Sequence, residues 1–380
     1  MKHILYGIDQ RRSKIGDKME PRRRRKPLTD QIIDSAKRPV EKKTPVEFIS
    51  SGSIILNLAA SQKGRRGGWA RGRINNIVGD GSSGKTLLAL EACADAFYNI
   101  QKVKSQHFKP VRKVIIVYNN IEGVMDFPIA KMYGQKFYDE VEWIQSETCE
   151  EFGRDYQRRV QNLKSGEFLL YVLDSIDATI PQTAKDRIQA AIKKDTKEEG
   201  SYGTEKAKYF SSAFFNHLCS IMEKKDATLV LVSQVREKIG ITFGKKLYRT
   251  GGKALDFYTH QVAWLYEKGK LHRTFRTQKK DYGIRIRAKW ERNKTATPYR
   301  EAEFTILFDY GLDDIGTMLD YLYGPEEKEI KWDKDKIKKS ELLELIEGDH
   351  ILYDKLVDLV EQDWFEIEEE IKPKRKKRFD

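Results

Sequence analysis

The chain is predicted to be an α/β protein with a central, mostly parallel sheet flanked by helices and a small helical C-terminal module. Three observations carry that reading. Short apolar runs at Ile74 to Val78, Lys113 to Tyr118, Phe168 to Leu173 and Thr228 to Val232 lack alternation and are separated by stretches with helical spacing, as expected of strands buried on both faces. The first run enters Gly79-Asp80-Gly81-Ser82-Ser83-Gly84-Lys85-Thr86, which fits G-x-x-x-x-G-K-[ST], and Leu87, Leu90, Ala94 and Phe97 follow at helical spacing. The other runs end in polar groups, Asn119-Asn120-Ile121-Glu122, Asp174-Ser175 and Ser233-Gln234, and sheets of this kind bind ligands at the carboxyl ends of their strands.

Composition narrows the class of partner. The 380 residues carry a net charge of +13, a balance that suits a polyanion. Residues 1–45 hold 14 Lys/Arg against 6 Asp/Glu, whereas residues 326–380 hold 13 against 18, so the excess positive charge sits in the first 325 residues. Three widely spaced cysteines, Cys93, Cys149 and Cys219, fit core thiols in a reducing compartment rather than a disulfide framework or zinc site. With no run of 18 apolar residues, the expectation is a cytoplasmic protein that does not enter a membrane.

Taken in order, residues 1–45 read as a basic arm. Arg11-Arg12 and Arg22-Arg23-Arg24-Arg25-Lys26 suit a nuclear-import signal, a nucleic-acid arm or a plain solvated tail, and Leu28 to Lys37 is predicted as a short docking helix. Composition turns globular at Val46. In the loop that follows the first buried strand, small residues let backbone N–H groups curl around phosphate, the new helix aims its unpaired N–H groups at the same anion, and Lys85 adds a full charge. The Thr86 hydroxyl is expected to hold Mg²⁺, with Asp174 as the second, usually water-linked, metal carboxylate. Glu122 is the candidate general base. Asp126, four residues further into the turn, is assigned to nucleotide contact.

Seven blocks, in order, resemble the bacterial RecA recombinase family. They are Ser50-Ser51-Gly52-Ser53, Gly72-Arg73-Ile74, Gly81 to Thr86, Leu173-Asp174-Ser175, Gln234 to Gly240, Thr250 to Tyr258 and Asn293 to Phe304. The resemblance spans residues 46–325 and implies an ATP-dependent recombinase that forms filaments on single-stranded DNA, pairs it with homologous double-stranded DNA and exchanges strands in recombination and repair. It further implies that Glu122 is the catalytic glutamate, that Gln234 senses the γ-phosphate and relays it to DNA, and that Arg292 and Lys294 reach the ATP of a neighbouring subunit. Arg292 stands where the family has lysine. Ile129 stands where the family stacks an aromatic ring on adenine, and residues 99–112 look inserted.

Residues 236–257 resemble the family's second DNA loop. Arg236, Lys238, Lys245, Lys246, Arg249 and Lys253, with Phe243 and Tyr248 between them and Gly251-Gly252 as a hinge, suit phosphate pairing and base stacking. The first loop is expected between Gln182 and Lys208, including Lys193, Lys194, Gly200 and Gly203. Beyond the match, residues 326–371 are predicted as two short helices, Lys336 to Leu345 and Asp349 to Val360, the second burying Leu352, Leu356, Leu359 and Val360, with Trp364-Phe365 capping them. A basic tail, 372–380, follows. Two other readings remain open from sequence: a hexameric helicase-like motor on the same fold, and a structural or regulatory module that binds ATP and DNA.

Overall fold

The computed structural model describes residues 45–376 except 124, 126, 195–201, 223, 238–246, 250 and 251. The predicted helix at Leu28 to Lys37 and the last residues of the basic tail lie outside the described residues. The chain begins β1 (Phe48–Ile49), α1 (Ile54–Ser61), β2 (Trp69–Ala70), β3 (Ile74–Gly79), α2 (Lys85–Asn99), β4 (Lys113–Asn120), α3 (Ile129–Tyr133), α4 (Gln135–Glu140) and β5 (Glu142–Ile144). It continues α5 (Cys149–Asn162), β6 (Glu167–Asp174), α6 (Gln182–Lys194), α7 (Tyr202–Tyr209), α8 (Phe215–Met222), β7 (Ala227–Glu237), β8 (Leu247–Arg249) and α9 (Gly252–Tyr258). The remainder is β9 (Gln261–Phe275), β10 (Gln278–Asn293), β11 (Glu301–Leu307), β12 (Gly311–Leu312), α10 (Asp314–Tyr323), β13 (Glu329–Trp332), β14 (Asp335–Lys338), α11 (Lys339–Gly348) and α12 (His350–Ile371).

The main sheet has the order β12-β11-β10-β9-β3-β7-β6-β4-β5. From β9 to β5 every neighbouring pair is parallel. The four predicted strands all lie in this half, where alternate residues enter two different cores. In β6, Phe168, Leu170 and Val172 pack with Leu88 and Leu90 of α2, while Leu169, Tyr171 and Leu173 pack with Phe152 and Tyr156 of α5 and Leu218 of α8. Burial on both sides is why these runs do not alternate. From β9 to β12 the pairing is antiparallel. Here alternation returns: Ile284, Ile286, Ala288 and Trp290 of β10 are buried, and Arg285, Arg287 and Lys289 between them are not. Beyond the sheet, β9 and β10 run on as a long hairpin with exposed sides.

The C-terminal region differs from the two predicted helices. Lys336 to Lys338 belong to β14, which pairs with β13 and sets Ile337 opposite Ile330. The first helix therefore starts at Lys339. The period-2 burial of Ile330 and Trp332 made this a hairpin. The second helix runs through Trp364-Phe365 and the acidic stretch to Ile371, and its buried face is Leu356, Val357, Val360 and Trp364, with Leu359 36% exposed. These residues join the same core as α1 and α2. The Gly/Arg-rich segment before β3 explains part of that docking. Arg65 pairs with Asp354 at 3.2 Å and Asp358 at 2.6 Å, and Arg300 meets Glu368 at 2.6 Å, all on α12. Cys93 and Cys149 are buried thiols. Among the described residues no helix is long and apolar enough to cross a membrane.

Candidate nucleotide site

The loop between β3 and α2 is anchored from below by two fully buried asparagines. Asn76 of β3 donates to the Leu231 carbonyl at 2.8 Å and the Ser233 hydroxyl at 2.9 Å, and Asn75 donates to the Ala70 carbonyl at 3.1 Å. A buried amide that loses its partner is costly, so the Asn76 bonds favour one β3–β7 register and the Asn75 bond ties β3 to β2. That register sets Gly79 beside Gln234. Above it the loop closes on itself. The Asp80 carbonyl accepts from the Ser83 hydroxyl at 2.8 Å and from the Lys85 ammonium at 2.6 Å, and the Asp80 carboxylate accepts from the Gly81 N–H at 2.8 Å. Gly84 takes φ +80°, and a Cβ there would lie 2.6 Å from Ile306 and 2.7 Å from Ile286. Only glycine satisfies both the turn and the close approach to β10 and β11.

Parallel pairing of β4 with β6 sets Asn120 beside Asp174, so these two strands end at the same edge of the sheet. The Thr86 hydroxyl and the Tyr118 hydroxyl each donate to Asp174 Oδ2 at 2.7 Å. Burial pushes the Asp174 carboxyl above its ordinary value, and these two hydroxyls and Lys85 pull it back. Burial also lowers the Lys85 ammonium, opposed by Asp174, Glu122, Asp80 and Asp177. Thr86 and Asp174 together present hard oxygen donors of the kind Mg²⁺ takes. Glu122 accepts from the Ser175 hydroxyl and from the Gln234 side-chain amide, the latter at 2.7 Å. Gln234 lies within β7 rather than past its end, because β7 continues to pair with β8.

Two residues that sequence reasoning did not single out complete this edge. Asp177 accepts the Gln234 backbone N–H at 2.7 Å, and Lys206 of α7, buried, donates to the Asp177 carbonyl at 2.8 Å. The signal for Asp177 was present: a second acid three residues after Asp174, in the turn leaving a buried strand. Nothing in the sequence marked Lys206 as buried among the many lysines around it. Desolvation lowers its ammonium below the usual range.

Other expected residues are placed elsewhere. Asp126, Lys238, Phe243, Lys245, Lys246 and Gly251 lie outside the described residues, as does Gly200. Gly252 and Lys253 begin α9, and Lys193 and Lys194 end α6. Lys208 is exposed on α7, and the described residues of the expected first loop, Gln182 to Lys194 and Tyr202 to Lys208, are helical. Arg236 and Tyr248 face each other across the β7–β8 pair and are exposed. Arg249 is the correction: it is 8% exposed and pairs with Asp256 at 2.5 Å, so its guanidinium is turned inward instead of offered to phosphate. Ile129 is buried at the start of α3 and lines a cavity with Tyr118, Met125, Tyr138 and Trp143, which brings three other rings beside the loop's edge of the sheet.

Arg292 and Lys294 do not meet the loop of their own chain. Arg292 pairs with Val262 in register, and Val262 with Asn76, whereas the phosphate loop starts past Gly79. Along β3 the separation is roughly 10–13 Å or more at about 3.3 Å per residue. Lys294 donates to the Phe257 carbonyl and lies 5.7 Å from the Phe257 ring centroid.

A glycine-rich loop, a helix N-terminus and two carboxylates at the carboxyl edge of a parallel sheet define the phosphate-loop class of nucleotide site. The RecA N-terminal domain matches residues 35–313. Protein RecA of Treponema pallidum is 33% identical over 289 residues, 76% of this chain and 63% of that protein. Protein RecA of Treponema denticola is 32% identical over 275 residues, 72% of this chain and 58% of that protein. Protein RecA of Acidothermus cellulolyticus is 31% identical over 284 residues, 74% and 71% respectively. The matches to the Treponema proteins thus span about three fifths of those relatives' length. The chain belongs to the RecA family, a family of ATPases.

Proposed function

We propose that the chain is a DNA-dependent ATPase and homologous recombinase that forms filaments on single-stranded DNA and promotes strand exchange with a duplex. The observation that carries this reading is the 2.7 Å hydrogen bond from Gln234 to Glu122, because Gln234 shares β7 with Arg236 at the start of the basic segment. A change at the nucleotide edge therefore has a covalent path to a candidate DNA contact. In the reaction, Lys85 and the loop N–H groups hold the phosphates, and Glu122 orients and polarises the attacking water. Thr86 and Asp174 would hold Mg²⁺, which would offset phosphate charge when bound. Arg292 and Lys294 of an adjacent copy stabilise charge on the transferred phosphoryl, coupling turnover to assembly.

Electron microscopy with single-stranded DNA and a slowly hydrolysed ATP analogue tests the proposal. Continuous helical filaments support it. Closed hexamers make the chain a ring motor, and particles of one subunit make it a binding module.

A further inference from the structure

Resting on that reading, we infer that Asp177 is a positioning residue that couples nucleotide sensing to DNA contact, holding the Gln234 backbone through one oxygen and restraining Arg236 through the other. Its side chain is 4% exposed. Oδ2 accepts the Gln234 N–H at 2.7 Å. Oδ1 is buried with no hydrogen-bond partner among the described residues, and the Arg236 Nε lies 3.6 Å from it. The Asp177 backbone is fixed independently, because the Lys206 ammonium donates to the carbonyls of Ile176 at 3.3 Å and Asp177 at 2.8 Å.

This arrangement has two competing outcomes for one cation. A buried carboxylate oxygen without a donor is unfavourable, so it draws the guanidinium inward. The Arg236 side chain is 55% exposed, within reach of solvent and of a nucleic-acid phosphate, which competes for it with charge-assisted hydrogen bonds. Gln234 and Arg236 are two apart on a strand and so project to the same side of β7. Gln234 is tied at both ends, its amide to Glu122 and its N–H to Asp177. Moving Gln234 toward a phosphate breaks the Asp177 bond and carries Arg236 away from Oδ1. Asp177 thus favours the state with low DNA affinity, and the nucleotide works against it.

The test is the affinity for a fluorescent single-stranded oligonucleotide, measured with and without a slowly hydrolysed ATP analogue. Asp177→Asn keeps an acceptor for the Gln234 N–H and removes the charge facing Arg236. It is expected to tighten nucleotide-free DNA binding by about fivefold or more while leaving nucleotide-bound affinity within about twofold. Asp177→Ala should, in addition, lower DNA-stimulated turnover. Adding Arg236→Gln to Asp177→Asn should erase the gain. The inference is overturned if the ratio of the two affinities is unchanged in Asp177→Asn, or if the gain survives Arg236→Gln. Should Asp177→Asn fail to fold, Arg236→Gln alone decides: it must weaken nucleotide-bound DNA affinity more than nucleotide-free affinity, and equal losses reject the coupling. An unmodified chain that binds ATP but no DNA in either state instead refutes the recombinase reading, and this inference falls with it.

Discussion

From β9 to β5 the strands run parallel, bury both faces and finish at one edge, where Gly79, Asp174 and Gln234 meet. From β9 to β12 they run antiparallel, alternate buried with part-exposed residues in β10, and return the chain to the opposite edge, where Arg292 and Lys294 lie. Parallel strands all end on the same side, so they gather reactive groups into one pocket. Antiparallel strands distribute their ends. The difference puts the glycine-rich loop, Glu122 and Asp174 of one chain in one place and two of its cations in another, so a complete site of the proposed kind takes two copies.

The largest effect belongs to the parallel half. Lys85→Ala is expected to lower phosphate release by about a thousandfold, since a single electrostatic donor contributes 10²–10³ and this one also binds the substrate. Turnover within tenfold of the parent would leave the loop without its assigned role. Glu122→Gln should cost about a hundredfold in hydrolysis while nucleotide affinity and nucleotide-dependent DNA binding persist. Loss of binding along with hydrolysis would mean that Glu122 supports the pocket rather than the water. Arg292→Ala with Lys294→Ala probes the other edge. Nucleotide binding by dilute protein should stay within about twofold, while DNA-stimulated turnover drops by at least about tenfold. A drop that is complete at high dilution as well, in binding too, would place both cations in the pocket of their own chain.

Smaller effects come from contacts joining the halves. Gly84→Ala combines an unfavourable φ with contact against Ile286 and Ile306, and should lower unfolding free energy by about 1–3 kcal/mol. Adding Ile306→Val should recover part of this, but not the backbone portion; full recovery would locate the whole cost in the side-chain contact. Glu91 of α2 accepts from the Leu312 N–H of β12 at 2.8 Å and from the Tyr133 hydroxyl at 3.0 Å. Burial pushes its carboxyl up from the ordinary 4.5 to about 7. The folded state therefore favours the proton: the associated stabilisation is complete below about pH 4.5 and is lost as pH rises through 7. Glu91→Gln, which keeps the acceptor, should flatten this dependence and stabilise the protein at pH 8 by up to on the order of 3 kcal/mol, read from denaturant melts at both ends of the range.

The parallel half was legible in sequence because two-sided burial writes continuous apolar runs, and because Glu122 and Asp174 stand at or just past the ends of those runs. The antiparallel half was not legible by pattern. In β10 the buried residues Ile284, Ile286, Ala288 and Trp290 occupy alternate positions, in β9 burial is confined to Gln261 to Leu265, and the long exposed hairpin adds Lys268, Lys270, Arg273, Lys279 and Lys280, so residue-by-residue hydrophobicity is diluted. Only the family resemblance located Arg292 and Lys294. The same limit misled the reading of Arg249, where charge suggested a phosphate contact and Asp256 supplied a nearer partner. Asp177 was missed although it follows Asp174 by three residues, since its burial and its bond to Gln234 appear only in the folded chain.

The placement of Arg292 and Lys294 at the far edge of the sheet also fixes a counting rule. If those cations act on a neighbour's phosphate, an open string of n copies contains n − 1 finished catalytic centres, and a closed ring contains n. Activity per chain then climbs with string length and levels off, dilution lowers it faster than in proportion, and one terminal copy holds its nucleotide without spending it.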